Sequence, residues 1–201
     1  MKHILMAAFV LLLTISMADQ TATRAQQCPL KLSQAPAVRG VKLDMTLDEL
    51  FSLFPGLSDR IPPLSESERY PHFGFGSFTI TPSNYATKER FAGIDQYAIR
   101  SFDGRVVGLD VYYTAFPTGA LWRNTDDLVQ RFSDSLHLPG PRDWAVTENY
   151  PQRKLSCVGF EIAVASANDR AQIGFYQQSW VQTQKQRYAA FEEKKRSEFK
   201  P

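Results

Sequence analysis

The sequence predicts an α+β fold made of two related helix-then-antiparallel-sheet halves and a C-terminal helix. Three observations carry this. Two short helical patterns end in Pro-Gly, at Pro55-Gly56 and at Pro139-Gly140. Each is followed, after a gap, by alternating β-rich runs. Asp48-Glu49-Leu50-Phe51 and Asp126-Asp127-Leu128-Val129 hold the same place in the two helices, as in a repeated unit. Helices layered on one face of an antiparallel sheet are what such a pattern builds.

A length of 201 residues allows one domain or two small ones. Lys plus Arg is 23 and Asp plus Glu is 21, a near-balance that argues against a nucleic-acid binder. With 43% hydrophobic and 22% charged residues, the composition is globular rather than disordered.

The chain opens on Lys2 and His3, and Ile4 to Ile15 is apolar apart from Thr14. This reads as a secretory signal over residues 1–25, with cleavage after Ala18 or after Ala25. The run falls short of the about 20 apolar residues that a membrane-spanning helix needs, and no later segment reaches that length. The mature protein is therefore expected to be periplasmic or secreted, with no transmembrane span. Cys28 and Cys157 survive either cleavage, and an even pair in an exported chain favours a disulfide between them. The alternatives are two free thiols or a lipidated Cys28. Lipidation is disfavoured because Ala25-Gln26-Gln27 lacks the small apolar residues that precede a lipid-bearing cysteine.

The first half is read as 28–120. Residues 29–40 are a lead-in containing Pro and Ser. Thr46 as N-cap with Glu49 three residues on is a capping box. Leu47, Leu50, Phe51 and Phe54 make one helix face. Prolines interrupt 57–90, where Ser65 to Arg69 could form a helical turn and Phe78 to Ile80 a short strand. Asp103-Gly104 between two β-rich runs marks a hairpin. A two-residue loop would pair Phe102 with Arg105. A three-residue loop with a bulge at Gly104 would pair Ile99 with Val107 and Tyr97 with Leu109. The second register is preferred because it gathers Tyr97, Ile99, Val107, Leu109, Val111 and Tyr113 on one face.

The second half is read as 121–179. Asn124 or Thr125 caps a helix whose Asp126 and Asp127 suit its positive end. Leu128, Val129, Phe132 and Leu136 form its apolar face. Residues 155–165 read as a strand with Val158, Phe160, Ile162 and Val164 on one side and Cys157 on the other. Asn168-Asp169 marks a turn into a returning strand, Ala171 to Gln177. The C-terminal helix, 180–201, is expected to align Trp180, Tyr188, Phe191 and Phe199, with a Glu192–Arg196 pair.

Chemistry-bearing motifs are sparse. After signal removal the histidines are His72 and His137, and His137 ends a helix where the dipole accounts for it. Gly74-Phe75-Gly76 lacks the Lys and the following helix of a phosphate loop. No Gly-x-Ser-x-Gly elbow occurs. Adjacent carboxylates on a helix point about 100° apart and read as caps, not as an acid–base pair. Two cysteines and two histidines at this spacing make no zinc site. The one stretch mixing a base, a cation and aromatics is Arg69, Tyr70, His72, Phe73 and Phe75, a candidate binding loop. A sheet face bearing Tyr97, Tyr112 and Tyr113 is the other candidate contact. The reading is a non-enzymatic protein-binding module with no cofactor and no metal. The alternatives are a small hydrolase using His72 and a ligand-binding or structural envelope protein. Partner identity and oligomeric state stay open.

Val41-Lys42-Leu43-Asp44-Met45-Thr46-Leu47-Asp48-Glu49-Leu50 resembles the opening helix motif of the small outer-membrane-assembly lipoproteins of the SmpA/OmlA type. The tandem layout is similar to that of the β-lactamase-inhibitory proteins. The likeness covers 38–113, with an echo over 122–178. The family pattern has Gly before Met-Thr, where Asp44 stands here. The overall layout also resembles secreted bacterial proteins of no assigned activity. The resemblance implies a protein-contacting module of the bacterial cell envelope, with another envelope or secreted protein as partner. It transfers no catalytic residue. N-terminal sequencing of the exported protein should read from Asp19 or Gln26; an intact Met1 start would overturn the cleavage.

Overall fold

The computed structural model describes residues 28–59, 74–85, 87–114, 124–147, 152–167 and 170–199. Helix α1 (Leu47–Leu53) begins at the Thr46 cap. The Thr46 Oγ1 accepts the Glu49 N–H at 3.1 Å, and Glu49 Oε2 accepts the Thr46 N–H at 2.6 Å. That bond to the backbone holds the Glu49 carboxyl below its ordinary pKa. Helix α2 (Thr125–Leu136) starts in the same way, with Asn124 Oδ1 accepting the Asp127 N–H at 2.9 Å. The repeated motif thus occupies equal positions. Asp48 and Asp126 are second in their helices, and the buried Leu50 and Leu128 are fourth.

Three strands follow α1: β1 (Phe75–Ile80), β2 (Ile94–Phe102) and β3 (Arg105–Tyr113). Four follow α2: the two-residue β4 (Ala145–Val146), then β5 (Gln152–Ser156), β6 (Phe160–Ala167) and β7 (Arg170–Gln177). They form one seven-stranded antiparallel sheet in the order β1-β2-β3-β7-β6-β5-β4. The last strand of each half meets the other at the centre, and the meander on either side of that seam has the same connectivity.

The core lies on one face. Phe78, Ile99, Leu109, Phe175, Ile162 and Leu155 pair in a row across six strands. Ile80, Tyr97, Val111, Ile173 and Val164 make the next row. Leu47, Leu50 and Phe54 cover it from the first half, and Leu128, Val129 and Phe132 from the second. Arg153 continues the second row on β5 and bonds Asp126 at the start of α2 at 2.8 Å.

The lead-in is a strap across both halves. The Cys28 N–H bonds the Ser156 carbonyl at 3.0 Å, and the Val158 N–H bonds Leu30 at 2.9 Å. The chain then buries Val38, Val41, Leu43 and Met45. It ends against β3, where the Asp44 N–H bonds Val106 at 2.8 Å and the Val106 N–H bonds Met45 at 2.9 Å. Asp44 has φ 62°, a left-handed conformation that Gly takes freely and Asp tolerates. The Cys28–Cys157 disulfide fixes the far end of the strap, closing a sequence separation of 129 residues.

Five expectations are corrected. The β2–β3 tip is the tight turn, with Phe102 opposite Arg105, and the bulge lies further in, at Val106-Val107. Ile99 therefore pairs with Leu109 and Tyr97 with Val111. Val106 joins the core, whereas Val107 turns to the other side of the sheet, beside Phe102 and Trp180. Residues 155–165 are two strands, not one. Gly159, at φ 86°, turns the chain between β5 and β6 and leaves Val158 about half exposed. The C-terminal helix α3 (Ser179–Glu198) turns Trp180, Thr183, Arg187 and Phe191 to its more covered side, while Tyr188 and Phe199 stay exposed. At about 100° per residue, Tyr188 lies roughly 80° round from Trp180, so the expected stripe is not one stripe. The pair formed near the helix end is Lys194–Glu198 at 3.7 Å, in place of Glu192–Arg196. Finally, β1 starts at Phe75, so that residue is in a strand and not in a loop. The proposed turns at Ser65–Arg69 and Asn168-Asp169 lie outside the described residues.

The chain-entropy model gives about 5 kcal/mol for a loop this long as an upper figure. Unreduced protein should take up no thiol label, and reduced protein two labels per chain. The Cys28→Ser, Cys157→Ser double variant should lose about 2–5 kcal/mol in denaturant unfolding. No loss would mean that the hydrogen bonds of the strap suffice without the bond.

Candidate functional site

Alternation along the strands puts a different residue set on the face away from α1 and α2. One row reads Ser77, Arg100, Gly108, Tyr176, Glu161 and Ser156. The next reads Thr79, Ala98, Asp110, Gly174, Ala163 and Lys154, and the third Gln96, Tyr112, Gln172, Ala165 and Gln152. Among the described elements only the first part of α3 lies against this face, at the end formed by Phe102, Val107 and Gln177.

Asp110 is the centre of the face. Its side chain is 4% exposed, and a buried carboxylate needs a counter-charge and donors. Arg100 Nη2 donates to Oδ2 at 2.7 Å, Gln172 Nε2 donates to Oδ1 at 2.9 Å, and the Tyr176 hydroxyl donates to Oδ1. Burial, and then the bond to Asp110, push the Tyr176 phenol well above its ordinary pKa. Two glycines make room for this cluster. Gly108 stands between Arg100 and Tyr176 in its row, and its bare backbone lets the guanidinium lie over the Tyr176 ring at 5.0 Å. Gly174 stands opposite Asp110, and a Cβ there would fall on the Tyr176 hydroxyl and 2.7 Å from Asp110 Oδ1. Arg100 keeps 41% of its side chain exposed, and Lys154, bonded to Glu161 at 3.0 Å, keeps 37%. The arrangement holds cationic and aromatic groups rigidly at a surface. Its carboxylate is already saturated with donors, so it is a presenting group and not a free base.

The α3 junction borders this face. Trp180 stacks on Phe75 at 5.3 Å and lies 5.8 Å from Phe102. Arg187 grips Asp103 with two bonds of 2.7 Å and covers the Phe102 ring at 4.9 Å. Of the candidate loop, Arg69, Tyr70, His72 and Phe73 lie outside the described residues, and the Phe75 ring packs in this junction. Tyr97 is no contact residue: it is fully buried on the helix face, and its hydroxyl donates to the Val38 carbonyl at 3.3 Å. Tyr112 and Tyr113, being neighbours, point to opposite faces, and Tyr113 meets Phe132 at 5.4 Å. His137 is exposed at φ 55°, the left-handed residue that ends α2. Among the described residues no His, Cys, Asp and Glu side chains gather into a metal site.

Sequence reasoning missed Arg100, Asp110, Gln172 and Tyr176. A signal existed. Gly108-x-Asp110-x-Tyr112 and Gln172-x-Gly174-x-Tyr176 alternate against the apolar residues, so a polar face was written into both strands. The chain matches no protein-family model, and neither the curated proteins nor the solved structures offer a match.

Gly174→Ala should displace the Tyr176 hydroxyl and cost about 1–3 kcal/mol through the donor that buried Asp110 loses. Adding Tyr176→Phe removes the nearer of the two Tyr176 atoms that the new methyl strikes, the hydroxyl oxygen, and leaves the ring carbon behind it. The double variant should therefore lose less than the sum of the two singles in denaturant unfolding. Additive losses would show that the two positions do not share this space.

Proposed function

We propose that the protein is an exported, non-enzymatic protein-binding module of the bacterial cell envelope. Its contact surface is the sheet face centred on Asp110. The observation that carries the reading is that this face of the central strands, left uncovered by α1 and α2, presents Arg100, Tyr112 and Tyr176 on a rigid scaffold. Tyr and Arg are the side chains that most often anchor interfaces, and a pre-ordered group loses little entropy when bound. The Phe75 ring lies on the same face, and the Arg69–Phe73 segment that precedes it in sequence is proposed as a second contact. Export is supported by the N-terminal apolar run and by a disulfide, which persists in oxidising compartments. No described helix is long and apolar enough to cross a membrane. The SmpA/OmlA-type resemblance supports the envelope, and Asp44 takes a glycine-like conformation where that pattern has Gly.

The test is a crosslinking pull-down with the tagged mature chain against native envelope and secreted fractions. One protein should be captured stoichiometrically. Tyr112→Ala with Lys154→Gln should weaken its capture by a factor equivalent to about 2 kcal/mol while the protein keeps a cooperative melting transition. Arg131→Ala on α2 should leave capture intact. Joint replacement of Tyr70, Phe73 and Phe75 by Ala reports on the bordering segment. Capture insensitive to both sets of changes would overturn the assignment of this surface.

A further inference from the structure

The helix side of the sheet carries a second feature that this reading does not use. A cleft of about 420 Å3 opens where the two halves meet. That volume lies within the range of small-molecule sites. Ile94 and Tyr113 line it from the first sheet half, and Phe132 and Leu136 from α2. These walls are apolar and aromatic.

One lining residue is ionised, and it is a cation. Arg39 stands at the tip of a tight two-residue turn, in which the N–H groups of Val38 and Val41 bond each other's carbonyls at 2.8 and 3.1 Å. Arg39 takes φ 55° and Gly40 φ 94°, the backbone of a type I′ turn. Arg39 is exposed, and among the described residues its guanidinium has no carboxylate and no hydrogen-bond acceptor. Gly40 lets a second cation approach: Arg90 Nη2 lies 2.8 Å from the place of the missing Cβ. Arg90 also has no acidic partner among the described residues. Arg39 in the lining of a cleft without a carboxylate makes its mouth electropositive, while Arg90 stays against the same turn with its guanidinium over the Phe91 ring at 5.7 Å.

A second donor faces the same space. The Tyr113 hydroxyl has no hydrogen-bond partner among the described residues, although its ring is packed against Phe132. Burial pushes its pKa up to about 12, against the opposing pull of Arg39, so it is a neutral donor at physiological pH. Ser135, also in the lining, already donates to the Phe132 carbonyl at 3.2 Å. The unmet groups are therefore two donors, one of them charged, at the edge of an apolar cleft. A carboxylate satisfies both, and an aromatic ring or short acyl chain fills the space behind them.

We infer that this cleft binds a small amphipathic carboxylate, with its head on Arg39 and the Tyr113 hydroxyl and its apolar body between Ile94, Phe132 and Leu136. The site lies on the opposite side of the sheet from the proposed protein-binding surface, and neither claim depends on the other.

The test is an amide-shift titration of the disulfide-bonded mature chain with 3-phenylpropionate, using 3-phenylpropan-1-ol as its neutral counterpart. Phenylpropionate should give saturable shifts at Ala92, Ile94, Tyr113 and Ser135, and the alcohol should bind at least about tenfold more weakly. Arg39→Asn, which suits a type I′ turn, should reduce phenylpropionate to the level of the alcohol and leave the alcohol unchanged. Ser135→Trp should fill the cleft and remove both. The absence of saturable shifts at these amides up to about 10 mM, or an unchanged acid-to-alcohol ratio in Arg39→Asn, would overturn the inference.

Discussion

Five residue pairs, from Gly108–Tyr176 to Tyr112–Gln172, join β3 to β7 and make one sheet of two meanders. Everything else in the molecule depends on this seam. It places the last strand of each half at the centre, where a strand is paired on both edges. On one side it aligns Leu109 with Phe175 and Val111 with Ile173, the middle of the core. On the other it sets Asp110 opposite Gly174 and Gly108 opposite Tyr176. A one-residue slip of β3 would turn its side chains over, burying the Asp110 carboxylate among the helices and exposing Leu109 and Val111. The apolar face therefore fixes the register, and the register in turn assembles the polar cluster.

The strap and the disulfide act on the same architecture from outside. The seam supplies the link through the sheet, and the strap supplies one over the core, from the β5–β6 turn to the start of β3. Its burial of Val38, Val41, Leu43 and Met45 closes part of the core that neither helix covers. The same strap carries Arg39 to the mouth of the cleft between the halves. A segment that reads as a lead-in is thus a structural member and the source of the one charge in that cleft.

The two faces divide the labour. The helix face is saturated with apolar contacts except at the cleft, where Tyr113 and Arg39 keep donors unmet. The open face is built from small residues that let a few large polar side chains lie down on the sheet. Gly108 and Gly174 matter here because they lack side chains, not because of a special backbone angle. The result is an ordered display of Arg100 and Tyr176 around a satisfied carboxylate, which suits recognition of another surface better than proton transfer.

From the sequence alone the class of fold, the two capped helices and the repeated helix motif were legible, and the two cysteines pointed to a disulfide that the structure contains. These are local signals. A cap needs only its own first turn, alternation needs only its own strand, and with two cysteines a disulfide has only one pairing to take. The tertiary structure decided what depends on contacts between distant segments. The bulge at Val106-Val107 moved the hairpin register because the core selected Val106, and no property of the tip encodes that choice. Tyr97 and Tyr112 look alike in the strand pattern, yet one is core and the other faces out, because the helices cover one side alone. Asp110 meets Gln172 and Tyr176 across more than sixty residues, and Arg187 meets Asp103 across more than eighty. Alternation marks Asp110, Gln172 and Tyr176 as polar-face residues of their own strands, but which of them meet is decided only after the sheet has closed.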